Sequence, residues 1–169
     1  MTGMPVDVSA IADLLRRAAK AEILPRFRRL GGGDVRSKSE PTDLVTEADE
    51  AAERMMKREM AQIAPNALFI GEESVAADPA LLDKLKDAEL AVIVDPVDGT
   101  RAFISGAPVW GTLIGFAIDG VAIAGIMSQP FIGEDFIALP GHSRYRRGDV
   151  EKPNRTSGQT ELAGARVFT

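Results

Sequence analysis

Two apolar runs in the second half of the chain, residues 112–118 and 121–127, are joined by the dipeptide Asp119-Gly120. Asp-Gly readily adopts the positive φ angles that a tight two-residue hairpin turn requires, and apolar strands flank such turns. The pattern therefore predicts an antiparallel β-hairpin, to which residues 136–139 are expected to add a third strand. Residues 143–160 are polar, with scattered Gly, Pro and Arg, and are predicted to form a connecting segment.

The first part of the chain has helical rather than strand periodicity. Apolar residues recur at helical spacing through residues 6–27, which predicts an amphipathic helix. A second helix is expected to begin near Thr46, because Thr46 and Asp49 have the spacing of a capping box, and to end before Pro65.

Short apolar runs follow at residues 67–70 and 90–94 and predict two buried strands, with a short helix at 79–87 between them. Because helices come first and antiparallel strands later, we predict an α+β fold in which two helices pack on a mainly antiparallel sheet. Residues 1–160 are expected to form one domain.

Composition excludes several kinds of chemistry. The chain has no cysteine and one histidine, His142, which is expected to be a solvated loop residue, so Cys-His and Ser-His-Asp catalysis have little material. The net charge of −5 disfavours nucleic acid as a partner. No apolar run is long enough to span a bilayer, so we expect a cytoplasmic protein without a membrane partner.

Two acidic clusters each follow a predicted strand. Glu72 and Glu73 come after residues 67–70, and Asp95 and Asp98 come after residues 90–94. Either cluster alone is more commonly a solvated surface turn. Carboxylates that converge without nearby basic residues repel one another unless a cation lies between them, and Mg²⁺ is the hard cation that proteins bind through carboxylates and share with phosphate.

The residues around the second cluster suit a binding site. Pro96 stiffens the turn, so that Asp95 and Asp98 can point at one place with the Val97 carbonyl as a further ligand. Gly99 permits close approach of a ligand. If a helical turn starts at Thr100, the amides of residues 99 and 100 offer a phosphate site, and the Thr100 hydroxyl could orient a water.

Three segments together resemble the inositol monophosphatase family: residues 41–49 (PTDLVTEAD), 69–74 (FIGEES) and 95–100 (DPVDGT). The resemblance implies a lithium-sensitive, Mg²⁺-dependent phosphatase of small phosphomonoesters, and a fold that is the N-terminal half of a layered αβαβα arrangement. It also places substrate and metal roles on individual residues.

As the resemblance implies, a first metal would be bound by Glu72, Asp95 and the Val97 carbonyl. Asp95 and Asp98 would hold a second metal, and Glu72 a third, weaker one. Asp49 and Thr100 would activate the attacking water together with Glu72. The remaining implied roles are phosphate binding by the amides of Gly99 and Thr100, and closure of the site by a loop containing Lys38 and Asp43.

Residues 105–114 resemble the histidinol-phosphatase branch, so histidinol phosphate, an intermediate of histidine biosynthesis, ranks first as substrate and inositol monophosphate second. A bisphosphate nucleotide is a third possibility within the same class. Family members are longer, and their second half supplies a Trp-Asp motif that completes the second metal site. Residues 161–169 are therefore expected to begin a missing C-terminal domain, and a homodimer is expected. The alternative is a catalytically incomplete half-protein that acts as a metal-binding or assembly module.

Overall fold

The computed structural model describes residues 6–38, 44–161 and 163–164. Its first layer consists of two helices that pack against each other. Helix α1, Val8–Ala18, begins after Asp7, whose carboxylate accepts a hydrogen bond from the Ser9 amide, and continues as a π-helical segment, Ala19–Ile23. Helix α2, Glu47–Ile63, has the predicted capping box. Both helices therefore form where the apolar periodicity placed them.

The described chain also contains the strands β1 Val35–Ser37, β2 Leu44–Thr46, β3 Leu68–Gly71, β4 Ala91–Asp98, β5 Gly111–Ile118, β6 Val121–Gln129, β7 Glu134–Leu139, β8 His142–Arg147 and β9 Val150–Asn154. Seven of them form one sheet in the order β3-β4-β5-β6-β7-β8-β9. Strands β3 and β4 are parallel, and every other neighbouring pair is antiparallel. A separate small sheet pairs β1 with β2 before α2.

Short helices lie in the connections that follow β3 and β4. Between β3 and β4 the chain forms helix α3, Glu72–Ala77, and then a 3₁₀ helix, Pro79–Asp87. Helix α4, Thr100–Ser105, follows β4 directly. The helix predicted at residues 79–87 is thus present in 3₁₀ form, whereas α3 was not predicted.

The prediction that residues 143–160 form a connecting segment is wrong for residues 143–154, whereas residues 155–160 lie in no helix or strand. Strands β8 and β9 extend the sheet by a hairpin that turns at Gly148, with φ 55°. These outer strands carry few apolar residues, so they lack the alternation that signals a half-buried strand. They are held instead by cross-strand contacts, including an Arg146–Asp135 ion pair with an N–O distance of 2.7 Å. His142 correspondingly begins β8, although it is exposed as expected.

The hydrophobic core lies between the helical layer and one face of the sheet. It joins side chains of α1 and α2 to those of the central strands. Its fully buried members include Ile11, Leu14, Leu15, Met56, Val92, Phe103 and Phe116. The α+β fold class, with two helices on a mainly antiparallel sheet, is confirmed.

The opposite face of the sheet is open and apolar. Leu113 of β5 pairs with Met127 of β6, which in turn pairs with Phe136 of β7. All three side chains line an open cavity of about 710 Å³. Ile93 and Met127 are exposed on this face. Within the described residues, no helix has the length and apolar character needed to cross a membrane.

Candidate active site

The start of α2 holds one carboxylate of the site in a buried position. Asp49 accepts hydrogen bonds from both the amide and the hydroxyl of Thr46, the amide at 3.0 Å, which is the reciprocal contact of the capping box. Burial raises the pKa of Asp49, against the hydrogen bonds from Thr46. The cap therefore fixes where this carboxylate points.

The predicted pairing of Asp49 with Thr100 is present in the structure. The Thr100 hydroxyl lies 3.4 Å from Asp49 Oδ1 and 3.1 Å from the Val97 carbonyl oxygen. A hydroxyl has a single proton, so it can donate to one of these oxygens while its lone pairs remain available to another group. This places a polarisable hydroxyl between a carboxylate and a carbonyl.

The second acidic cluster, Asp95 and Asp98, lies within β4 and not after it as predicted. The strand continues to Asp98 instead of ending at Val94, and its register with β5 shifts between Asp95 and Asp98. Asp95 Oδ1 accepts a hydrogen bond of 3.1 Å from the Val97 amide. The buried Thr112 hydroxyl donates to the Pro96 carbonyl at 2.8 Å and ties the irregular segment to β5.

Gly99 makes the transition from this strand to α4. It has φ 93°, a backbone conformation that favours glycine, and an added Cβ would lie 3.2 Å from the Val109 carbonyl oxygen. The Phe103 amide donates to the Gly99 carbonyl at 3.0 Å and closes the first turn of α4. The helical turn expected at Thr100 is therefore present.

The first acidic cluster begins α3 and is bridged by a lysine. Lys38 Nζ lies 2.7 Å from Glu72 Oε1 and 2.7 Å from Glu73 Oε1. Burial lowers the pKa of Lys38, but hydrogen bonds to the two glutamates outweigh it and hold the pKa above its ordinary value. Burial raises the pKa of Glu73 to about 7, against the contact with Lys38. Asp43, the other predicted loop residue, lies outside the described residues.

The two acidic clusters meet at Glu72 and Asp95. Burial is the largest cause that raises the pKa of Asp95 to about 8, followed by the charge and close contact of Glu72 and then the charge of Asp98. The side chain of Asp98 is exposed, so it acts on Asp95 mainly through its field. Mutual repulsion of this kind is the electrostatic condition under which carboxylates bind a cation.

The donor set suits Mg²⁺ in chemistry, being made of carboxylate and carbonyl oxygens. However, across residues 6–38, 44–161 and 163–164 no group of three or more acidic, histidine or cysteine side chains is arranged closely enough to hold a metal ion. The ammonium of Lys38 satisfies Glu72 instead. The pairs Glu72–Asp95 and Asp49–Thr100 are thus brought together, while Asp98 stands outside them.

Sequence reasoning missed a buried acid next to the site, Glu53. It lies one helical turn after Asp49 on the buried side of α2, near Met56, and its carboxylate contacts the start of α3. A helical projection of α2 could have found it, because Glu53 is an acidic residue among apolar ones on the core face.

Comparisons with known proteins identify the class. The model of the inositol monophosphatase family matches residues 5–169, and the chain belongs to this family. The inositol-1-monophosphatase SuhB of Mycobacterium tuberculosis is 34% identical over 168 residues, which cover 96% of this chain and 56% of that protein. A histidinol-phosphatase of the same species is 33% identical over 145 residues, 85% of this chain and 52% of that protein.

A solved structure agrees with these relatives. The extragenic suppressor protein SuhB of Bartonella henselae is 26% identical with a TM-score of 0.69, and the match covers 90% of this chain and 57% of that one. The chain spans about half the length of the relatives it matches. The family resemblance drawn from the three motifs is confirmed.

Proposed function

We propose that this chain provides most of the metal site of an enzyme that hydrolyses a small phosphomonoester with Mg²⁺ and an activated water. One observation carries the proposal. Residues from three separate segments lie near one another: Asp49 in the first turn of α2, Glu72 at the start of α3 and Asp95 within β4, with the Thr100 hydroxyl beside Asp49. Family membership supports the same reaction class.

The ligands would be Glu72, Asp95 and the Val97 carbonyl for the first metal, Asp95 with Asp98 for the second, and Glu72 for a third. When bound, Mg²⁺ would supply a Lewis acid for the phosphoryl oxygens, a lower pKa for water and charge stabilisation of the leaving oxygen. Lys38 would have to leave Glu72, because its ammonium and Mg²⁺ would compete for the same carboxylate.

The other residues would bind substrate and orient water. The Thr100 hydroxyl would accept a hydrogen bond from the attacking water and donate its own proton to Asp49, whose Oδ1 lies 3.4 Å away. Asp49 would thus act through Thr100 as a base that activates the water, together with Glu72. The amides of Gly99 and Thr100 would donate hydrogen bonds to phosphate oxygens. Lys38 and Asp43 would help to close the site.

For the substrate we propose histidinol phosphate first, on the segment 105–114, and inositol monophosphate second. Relatives bearing both names support testing the two in one assay. The protein would act in the cytoplasm on a small phosphorylated molecule.

The open, apolar face of the sheet supports a second candidate function, that of an assembly module. Its exposed apolar side chains favour burial against further protein, which we propose is a C-terminal domain that follows residue 160, or a second copy in a homodimer. Residues 155–161 are exposed and in no helix or strand, as suits a connection. The rival function is a metal-binding or assembly module that lacks activity.

The test is phosphate release from both substrates with Mg²⁺ and with EDTA, by the chain alone and by the chain with any polypeptide its gene encodes after it. Asp95→Asn should abolish release, and Asp149→Asn, in the exposed turn between β8 and β9, should leave it unchanged. Absence of Mg²⁺-dependent release from the longest form would refute the enzyme and favour the module.

A further inference from the structure

We propose that Glu53 is a positioning residue that sets the first turn of α3 and thereby the direction of the Glu72 and Glu73 carboxylates. This inference rests on the proposed metal site, and deepens it by naming what holds one of its ligands in place. Glu53 accepts hydrogen bonds from the backbone of α3, so it would act on the Glu72 and Glu73 carboxylates through that backbone.

The geometry is a buried carboxylate facing a helix start. Glu53 is 4% exposed. Its Oε2 accepts a hydrogen bond of 2.7 Å from the Glu73 amide, and its Oε1 accepts from the Ser74 amide at 2.9 Å and from the Ser74 hydroxyl. Amides in the first turn of a helix have no partner within the helix, so an acceptor from elsewhere decides how that turn sits.

Gly71 leaves the space that the Glu53 carboxylate occupies. A Cβ at this position would lie 2.1 Å from Glu53 Cδ and 2.4 Å from each carboxylate oxygen. Its φ of −106° is open to any residue, so the backbone conformation does not call for glycine. A side chain at position 71 would instead displace the Glu53 carboxylate from its present place. Glu53 and Gly71 are therefore complementary.

The contact couples two parts of the site through one rigid element. Helix α2 carries Asp49, which faces Thr100 at the start of α4, and one turn later Glu53, which anchors the start of α3. The backbone of Glu72 lies between Gly71 and the anchored Glu73 amide. A change at Glu53 should therefore alter where Glu72 lies relative to Asp95.

The test uses Glu53→Gln, which replaces one accepting oxygen by an NH₂ group facing amide donors. We expect Mg²⁺ affinity, measured by calorimetry below the unfolding temperature, to fall on the order of tenfold, as is typical when a partner that orients a metal ligand is lost. Amide hydrogen exchange at Glu73 and Ser74 should accelerate. Glu59→Gln, on the same helix and paired with Arg17, is the matched control and should change neither reading.

A lower melting temperature with unchanged Mg²⁺ affinity would show a merely structural role and overturn the proposal, as would unchanged exchange at Glu73 and Ser74. If Glu53→Gln does not fold, Ser74→Ala removes only the hydroxyl contact and should give a smaller loss of affinity; no loss would count against the proposal. A wild-type chain that binds no Mg²⁺ would refute the proposed function instead, while the exchange measurement still judges the Glu53 anchor.

Discussion

Asp95 should reduce the stability of the metal-free protein at neutral and alkaline pH. Burial, Glu72 and Asp98 raise its pKa to about 8. In the unfolded chain an aspartate ionises near its ordinary pKa of about 3.9. Between these values the folded state binds a proton that the unfolded state has released, so the free energy of unfolding falls as pH rises through this window and is lowest above it.

The magnitude follows from the shift. One pKa unit corresponds to about 1.4 kcal/mol, so the full shift would amount to about 6 kcal/mol. Asp95 is only partly buried, and solvent screening reduces the effect. We expect Asp95→Asn, which keeps the volume but cannot ionise, to stabilise the metal-free chain by about 2 kcal/mol at alkaline pH, or roughly 4–8 °C in melting temperature.

The assay is thermal unfolding in EDTA at about pH 5, near the lower end of this window, and at about pH 9, above it. Asp95→Asn should melt higher than wild type at the upper pH and nearly level with it at the lower, and Asp149→Asn should follow wild type at both. Saturating Mg²⁺ should reverse the order by stabilising wild type alone. A variant that is less stable than wild type at the upper pH, or a difference independent of pH, would refute the reasoning.

Three further outcomes are expected. Lys38→Met should raise Mg²⁺ affinity in calorimetry, because Mg²⁺ no longer competes with the ammonium that bridges the two glutamates of α3; weaker binding would contradict this. Phe103→Ala should lower the free energy of unfolding by about 3–5 kcal/mol in urea, since its ring is fully buried and packs edge-on against Trp110 at 5.2 Å. Thr112→Val should lower it by about 1 kcal/mol, because the buried Pro96 carbonyl loses its donor; an unchanged midpoint would count against the tie.

Local patterns predicted the elements whose geometry is set by neighbouring residues. The hairpin turn is present with φ 48° at Asp119 and 75° at Gly120, as the Asp-Gly pair requires. The capping box at Thr46 and Asp49 is present for the same reason, since both partners lie within one helical turn. Strands β8 and β9 were missed because polar pairing, not apolar alternation, holds them.

The acidic motifs alone predicted carboxylates after the two apolar runs, which the structure places directly after β3 and in the last half of β4. The roles of these carboxylates came from the family resemblance. Tertiary structure decided that Lys38 sits on Glu72, that Glu53 anchors α3, and that one face of the sheet stays open. The Lys38–Glu72 and Glu53–Glu73 contacts join residues 20 or more positions apart. No local periodicity sets such distances; the packing of α2 against the sheet does, because it brings separate strand ends and helix starts to one edge.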